Sequence, residues 1–211
     1  QQHLPQSGCQ VQGFSYPPVA NRGQPQMQVG HALPHSYEVT SLRDLFTPLK
    51  SRMPIDVFHA TDYRIVRMDC PVVATLHDAV PIKYPHWCTP RLRGLKNWLQ
   101  QRAAKKADRV IALSHYAVTE LVECFGVPED RISVVYCGVA ESWKQPVPQA
   151  EVDATLAQYG LARGYFLFVG TLQPRKNVER ILQAYLSLPP GVQRDHALVV
   201  VGRAGWQCEA L

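Results

Sequence analysis

The chain has 211 residues, of which 46% are hydrophobic and 18% charged. That is enough apolar material for one sizeable domain or parts of two, and it excludes disorder as the global description. A formal charge of +5 favours anionic partners without choosing among nucleic acid, phosphorylated metabolites and an anionic membrane surface.

Residues 1–54 are rich in Gln, Pro, Gly and Ser, and no regular apolar spacing emerges before 41-SLRDLFTPLKS-51. From Asp56 the texture changes to short apolar runs, 56-DVFHA-60, 71-PVVATLHD-78, 109-RVIALS-114 and 132-ISVVY-136, separated by longer polar or amphipathic segments. This alternation predicts an α/β fold with a parallel sheet. The second connection, 90-PRLRGLKNWLQQRAAKKAD-108, places Leu92, Leu95 and Leu99 on one helical face, with Pro90 near the first turn. The third, 115-HYAVTELVECFG-126, has Ser114 as its cap and ends at Gly126 and Pro128.

The run 140–164 carries two prolines in a polar stretch and then a short helical pattern, and a domain boundary is expected within it. Beyond it, 165-YFLFV-169, a helix from about Val178 to Leu188 and 197-ALVVV-201 predict one β-α-β unit with a glycine after each strand. The six cysteines include no CxxC pair and no zinc-like spacing with histidine, and they read as reduced, cytosolic thiols. No window approaches the roughly 18 to 20 apolar residues of a membrane-spanning helix. The first residues lack the basic and apolar regions of a signal peptide. The missing initiator Met and the ending GWQCEAL, just past an apolar strand, lead us to expect a piece of a longer protein.

The turn 170-GTLQPRKN-177 lies at a strand's carboxyl end and at a helix start, where α/β proteins bind anions. Gly170 permits close backbone approach, Thr171 offers a hydroxyl, and Arg175 and Lys176 stand where a phosphate's charge would be. Solvated cations at a helix start are the competing reading. Cations are mildly unfavourable there, which favours an offsetting anion such as a diphosphate. The turn is neither a GxxxxGK[ST] phosphate loop nor GxGxxG. His77 and Asp78 end another strand. His77 reads either as a packed loop histidine or as a group that hydrogen-bonds a sugar hydroxyl or phosphate oxygen. Asp78 reads either as an acceptor contact or as a brace for its own loop. His59 and His115 are left out of the site, and Ser114 is assigned to capping. Glu179 is placed in the first turn of its helix, where it would pair with Arg175 or Arg180.

VGTLQPRKNVERILQAY resembles the start of the second domain of retaining glycosyltransferases of family 4, which carry two Rossmann-like domains in the GT-B arrangement. The resemblance continues in 72-VVATLHDAVPIKYP-85, 107-ADRVIALSHYAVTEL-121 and 131-RISVVYCGV-139. It implies an incomplete acceptor-side domain over 1–139, a linker over 140–163 and the start of the nucleotide-sugar-binding domain over 164–211. It further implies that Gly170, Thr171, Arg175 and Lys176 hold the donor's diphosphate, that His77 faces the donor sugar and that Asp78 lies on the acceptor side. His77, Arg175 and Lys176 are then the catalytic candidates. Asn177 stands where the family more usually has glycine, Thr171 where many members have arginine, and Cys137 where asparagine is common.

The PRKN turn is similar to a subset rich in mannosyltransferases of surface polysaccharide assembly. The donor would be a nucleoside diphosphate sugar and the acceptor a glycan or lipid-linked hydroxyl. No cofactor, metal or nucleic acid is expected, and no DxD-like cluster is present. The family's pair of glutamates seven residues apart and its glycine-rich first loop are not recognisable, so a fragment of this extent is expected to be a poor transferase. The basic residues Arg91, Arg93, Lys96, Arg102, Lys105 and Lys106 suit either a solvated face or peripheral contact with an anionic inner membrane leaflet. A non-catalytic nucleotide- or phosphate-binding module is the alternative from another class.

Overall fold

A computed structural model describes residues 8–15, 29–32, 35–47, 50–88, 92–205 and 208. The chain divides into two units: residues 1–85 with 90–137, and residues 86–89 with 138–211. The expected place of Pro90 near a helical first turn, and that of Arg91 among the helix's basic residues, lie outside the described residues.

The first unit is built on a four-stranded parallel sheet, β3 (Phe58–Ala60), β4 (Val72–Leu76), β5 (Arg109–Ala112) and β6 (Ile132–Val134), side by side in that order. Ahead of it come a short parallel pair, β1 (Gly13–Ser15) and β2 (Val29–Ala32), and helix α1 (Tyr37–Phe46). Ser36 caps α1 by accepting from Val39 N at 3.4 Å. The crossover from β4 to β5 carries the single turn α2 (Val80–Lys83) and helix α3 (Arg93–Ala104). The next carries α4 (His115–Glu120), continued by a wider π turn over Leu121–Phe125 that stops at Gly126 with φ +63°. Such positive φ suits glycine at a helix end.

Along β4, Val72, Ala74 and Leu76 are buried and alternate with half-buried Val73 and Thr75. They join Phe58, Ala60, Val110, Ala112, Leu121, Phe125 and Val127 in one core. Each large apolar side chain fully buried there contributes roughly 1.5–3 kcal/mol. Of the three leucines expected on one face of α3, Leu99 is 4% exposed while Leu95 and Leu92 are 42% and 63% exposed. Leu92 is not one of the helical residues: it is the cap that precedes them, with left-handed φ +54° and its carbonyl accepting from Lys96 N at 3.0 Å.

The second unit contains α5 (Gln149–Tyr159), β7 (Phe166–Val169), α6 (Val178–Leu186), α7 (Pro190–Asp195) and β8 (Leu198–Val201), with β7 and β8 parallel and in register from Phe166–Leu198 to Val169–Val201. Helix α5 falls inside the segment expected to be a linker. The α/β class and parallel pairing expected from the sequence are both present. Among the described residues no helix is long and apolar enough to cross a membrane, and no disulfide links the cysteines.

Candidate functional site

In the first unit the carboxyl end of β4 delivers His77 and Asp78 into a tight turn. His77 is exposed, and its Nε2 lies 3.1 Å from the carbonyl of Thr61. A carbonyl only accepts, so Nε2 carries the proton and Nδ1 is the nitrogen left to face a ligand. Asp78 Oδ1 accepts from the hydroxyl of Tyr63 at 2.7 Å and from Val80 N at 2.9 Å. Of the two readings of Asp78, the loop brace is therefore present in full. Tyr63 in turn stacks on Phe125, their ring centroids 5.8 Å apart and their planes nearly parallel at 10°.

Glu120, on α4, accepts from Ala79 N at 3.3 Å and from Lys83 Nζ at 3.1 Å. The hydrogen bond to Glu120 raises the pKa of Lys83 above its ordinary value. Neither Tyr63 nor Glu120 is among the candidate residues read from the sequence. Their partners lie 15 and 41 residues away along the chain, beyond the reach of a local pattern. Ser114 does what was expected of it, capping α4 by accepting from Ala117 N at 3.2 Å.

In the second unit Gly170 and Thr171 follow β7, and Arg175 and Lys176 sit in a short 3-10 turn, Pro174–Lys176, just before α6. Both cations are exposed, and among the described residues neither makes an ion pair. The expected pairing with Glu179 is not formed: Glu179 instead accepts from Gln183 Nε2 at 3.2 Å, its neighbour one turn along α6. Asn177 supplies no side-chain cap to α6, so the amides of the first turn stay available to a ligand or to water. Its φ is +52°, a left-handed conformation for which asparagine is the usual substitute for glycine. That accounts for the residue standing at this point of the turn.

The path of residues 170–172 is fixed by the strand beside it. Gly170 N donates to Val201 O, Leu172 N to Arg203 O and Gly205 N to Leu172 O, each at 2.9 Å. Gly170 has φ +157°, which residues with a side chain rarely adopt. The closest backbone approach lies at its partner: a Cβ on Gly202 would stand 1.8 Å from Gly170 O, and one on Gly205 2.3 Å from Leu172 O. The glycine after each strand was visible in the sequence, whereas the need for Gly202 and Gly205 to lack a side chain comes from this contact. Chemically, the second unit sets two exposed cations beside uncapped first-turn amides, groups whose charge and dipoles are complementary to an anion. The first offers an oriented imidazole on a braced turn. No group of three or more His, Cys, Asp or Glu that would hold a metal is found among the described residues.

A sequence profile of Glycosyltransferase Family 4 matches residues 2–143. The chain belongs to that family. Among relatives, this family 4 chain is 28% identical over 157 residues to O-antigen chain mannosyltransferase B of Escherichia coli, a match covering 74% of this chain and 41% of that protein. It is 27% identical over 132 residues to the serotype-specific mannosyltransferase WbdA of Escherichia coli, covering 61% and 16%. It is 30% identical over 123 residues to a D-inositol 3-phosphate glycosyltransferase of Thermobispora bispora, covering 56% and 28%. The family 4 chain thus spans less than half the length of these relatives. A crystal structure of Anabaena HepE in complex with UDP superposes with a TM-score of 0.49 at 23% identity, covering 65% of this chain and 35% of that one.

Proposed function

We propose that this family 4 chain serves the transfer of a sugar, mannose by preference, from a nucleoside diphosphate sugar to a hydroxyl of a glycan or lipid-linked acceptor, with retention at the anomeric carbon. The observation that carries the reading is the turn after β7. Two exposed cations without an ion pair among the described residues precede the uncapped start of a nine-residue helix. The membership in family 4 and the two Escherichia coli mannosyltransferases among the relatives support it. Their names also support a place in polysaccharide assembly.

In this mechanism the difficult step is departure of the diphosphate. Arg175 and Lys176 stabilise the negative charge that grows on it, and the first amides of α6 add their dipoles. Gly170 and Thr171 bring backbone and hydroxyl against the same group. His77 presents Nδ1 to the donor sugar as a hydrogen-bond acceptor while Thr61 holds its other nitrogen. Asp78 fixes the turn beside the acceptor. The basic helix α3 and an anionic lipid surface belong to the same proposal, with the chain working at the inner face of a membrane.

Isothermal titration of the chain with GDP, UDP and NAD tests the reading. A nucleoside diphosphate is expected to bind, NAD is not, and Arg175→Ala and Lys176→Ala are each expected to weaken binding by about tenfold, the loss of one charge-assisted contact. Equal affinity in wild type and both variants refutes the assignment of the clamp.

A further inference from the structure

Glu120 is the only buried side chain among the described residues that can carry a carboxylate charge, and it is 7% exposed. A carboxylate withdrawn from water is costly unless each oxygen is paired, and an apolar side chain of similar volume would stabilise the core at least as well. Here each oxygen has one partner. Oε2 takes the amide of Ala79 and Oε1 the ammonium of Lys83, so both partners lie in the five residues that follow directly from His77 and Asp78. Opposite it, Tyr63 grips Asp78 by its Oδ1 at 2.7 Å and by its carbonyl at 3.0 Å. The two grips are joined through the stacked rings of Tyr63 and Phe125, the latter five residues beyond Glu120. The turn after β4 is thereby held from the loop after β3 on one side and from the crossover after β5 on the other.

The geometry points to Glu120 as a positioning residue: through Ala79 and Lys83 it holds the turn 77–83 so that the His77 imidazole keeps one tautomer and one direction at the strand's end. This rests on the reading that the turn faces the sugar. Nothing in the core of the unit requires a carboxylate at this position. What requires it is a single turn of helix, Val80–Lys83, too short to be stable by itself.

The test uses the ligand-free chain and NMR. Amides of Ile82, Lys83 and Tyr84, which close the α2 turn onto Ala79 O and Val80 O, report the turn by hydrogen exchange, and the ring nitrogens of His77 report its tautomer. In Glu120→Leu these three amides are expected to lose protection by about tenfold while β4 and β5 keep theirs, and the His77 nitrogens are expected to move to the average of two tautomers. Where Glu120→Leu does not fold, Glu120→Gln and Lys83→Met decide. Each is expected to lower protection of the same amides by about threefold, since each removes the charge pair and spares the Ala79 bond. Unchanged protection and a fixed tautomer, or a loss spread evenly over β4, β5 and α4, overturns the inference. Titration of the wild type with GDP and UDP separates the two readings. A lost turn with binding of neither nucleotide sinks the transferase reading alone, and binding of either with an unchanged turn in the variants sinks the positioning role alone.

Discussion

Tyr63 donates its hydroxyl to Asp78 Oδ1 at 2.7 Å, joining the loop after β3 to the turn after β4. Of the contacts between two side chains that brace the turn, this one is the shortest, and its acceptor is a carboxylate. Tyr63→Phe keeps the ring on Phe125 and removes the hydroxyl. It is expected to lower unfolding stability by about 1–2 kcal/mol, the range for a part-buried hydrogen bond to a carboxylate, as read from urea denaturation. A change below about 0.3 kcal/mol means that water replaces the hydroxyl without loss.

Gly202 has no space for a side chain, since a Cβ would meet Gly170 O at 1.8 Å. Gly202→Ala must push the backbone of residues 170–172 away from β8, at an expected cost of about 2–3 kcal/mol. The second unit's thermal transition is expected to fall, and GDP affinity with it, although Arg175 and Lys176 are untouched. Unaltered GDP affinity would separate the turn's path from ligand binding.

Asn177 takes φ +52° between the 3-10 turn and α6. Asn177→Gly is expected to leave stability within about 0.5 kcal/mol, whereas Asn177→Val is expected to cost about 1–2 kcal/mol, because a β-branched side chain clashes in left-handed backbone. Thermal melts of the two variants, compared side by side, check the sign of the difference.

His59 Nε2 lies 2.8 Å from Thr75 Oγ1 across β3 and β4, and burial holds the imidazole below its ordinary pKa of 6.5. The folded state therefore binds the proton less readily than the unfolded one. Stability is whole above pH 6.5 and declines as pH falls from there through the folded-state value. Much of the residue stays in water, which screens the effect. The urea midpoint is expected to drop less between pH 7.5 and pH 5 in His59→Gln than in the wild type, with the difference absent above pH 7.5. Parallel pH profiles would assign the acid sensitivity elsewhere.

The strands of the first unit's main sheet were legible because a parallel strand covered on both faces reads as a nearly continuous apolar run, and 72-VVATL-76 and 109-RVIA-112 are such runs; 166-FLFV-169 and 198-LVVV-201 read the same way although their side chains are largely exposed. The pair β1 and β2 was not, since Gly13–Ser15 and Val29–Ala32 lie in a Gln-, Pro- and Gly-rich stretch without period. Leu92 misled the reading of α3 because spacing alone cannot register a residue whose φ turns positive before the helix begins. In the site, the turn residues Gly170, Arg175 and Lys176 stood out by local pattern. Glu120 did not: on a helix it reads as one more solvent-facing acid, and only the fold turns it inward to Ala79.

The four strands of the first unit's main sheet stand side by side in the order in which they are synthesised. A chain leaving the ribosome amino end first can add each strand to an edge that is already in place. Loop closure then involves one neighbouring crossover at a time, and its entropic cost is met in small steps. Of the side chains that hydrogen-bond the turn after β4, Glu120 is the last to be synthesised, so that turn can be completed only after β5 and the start of its helix have been made.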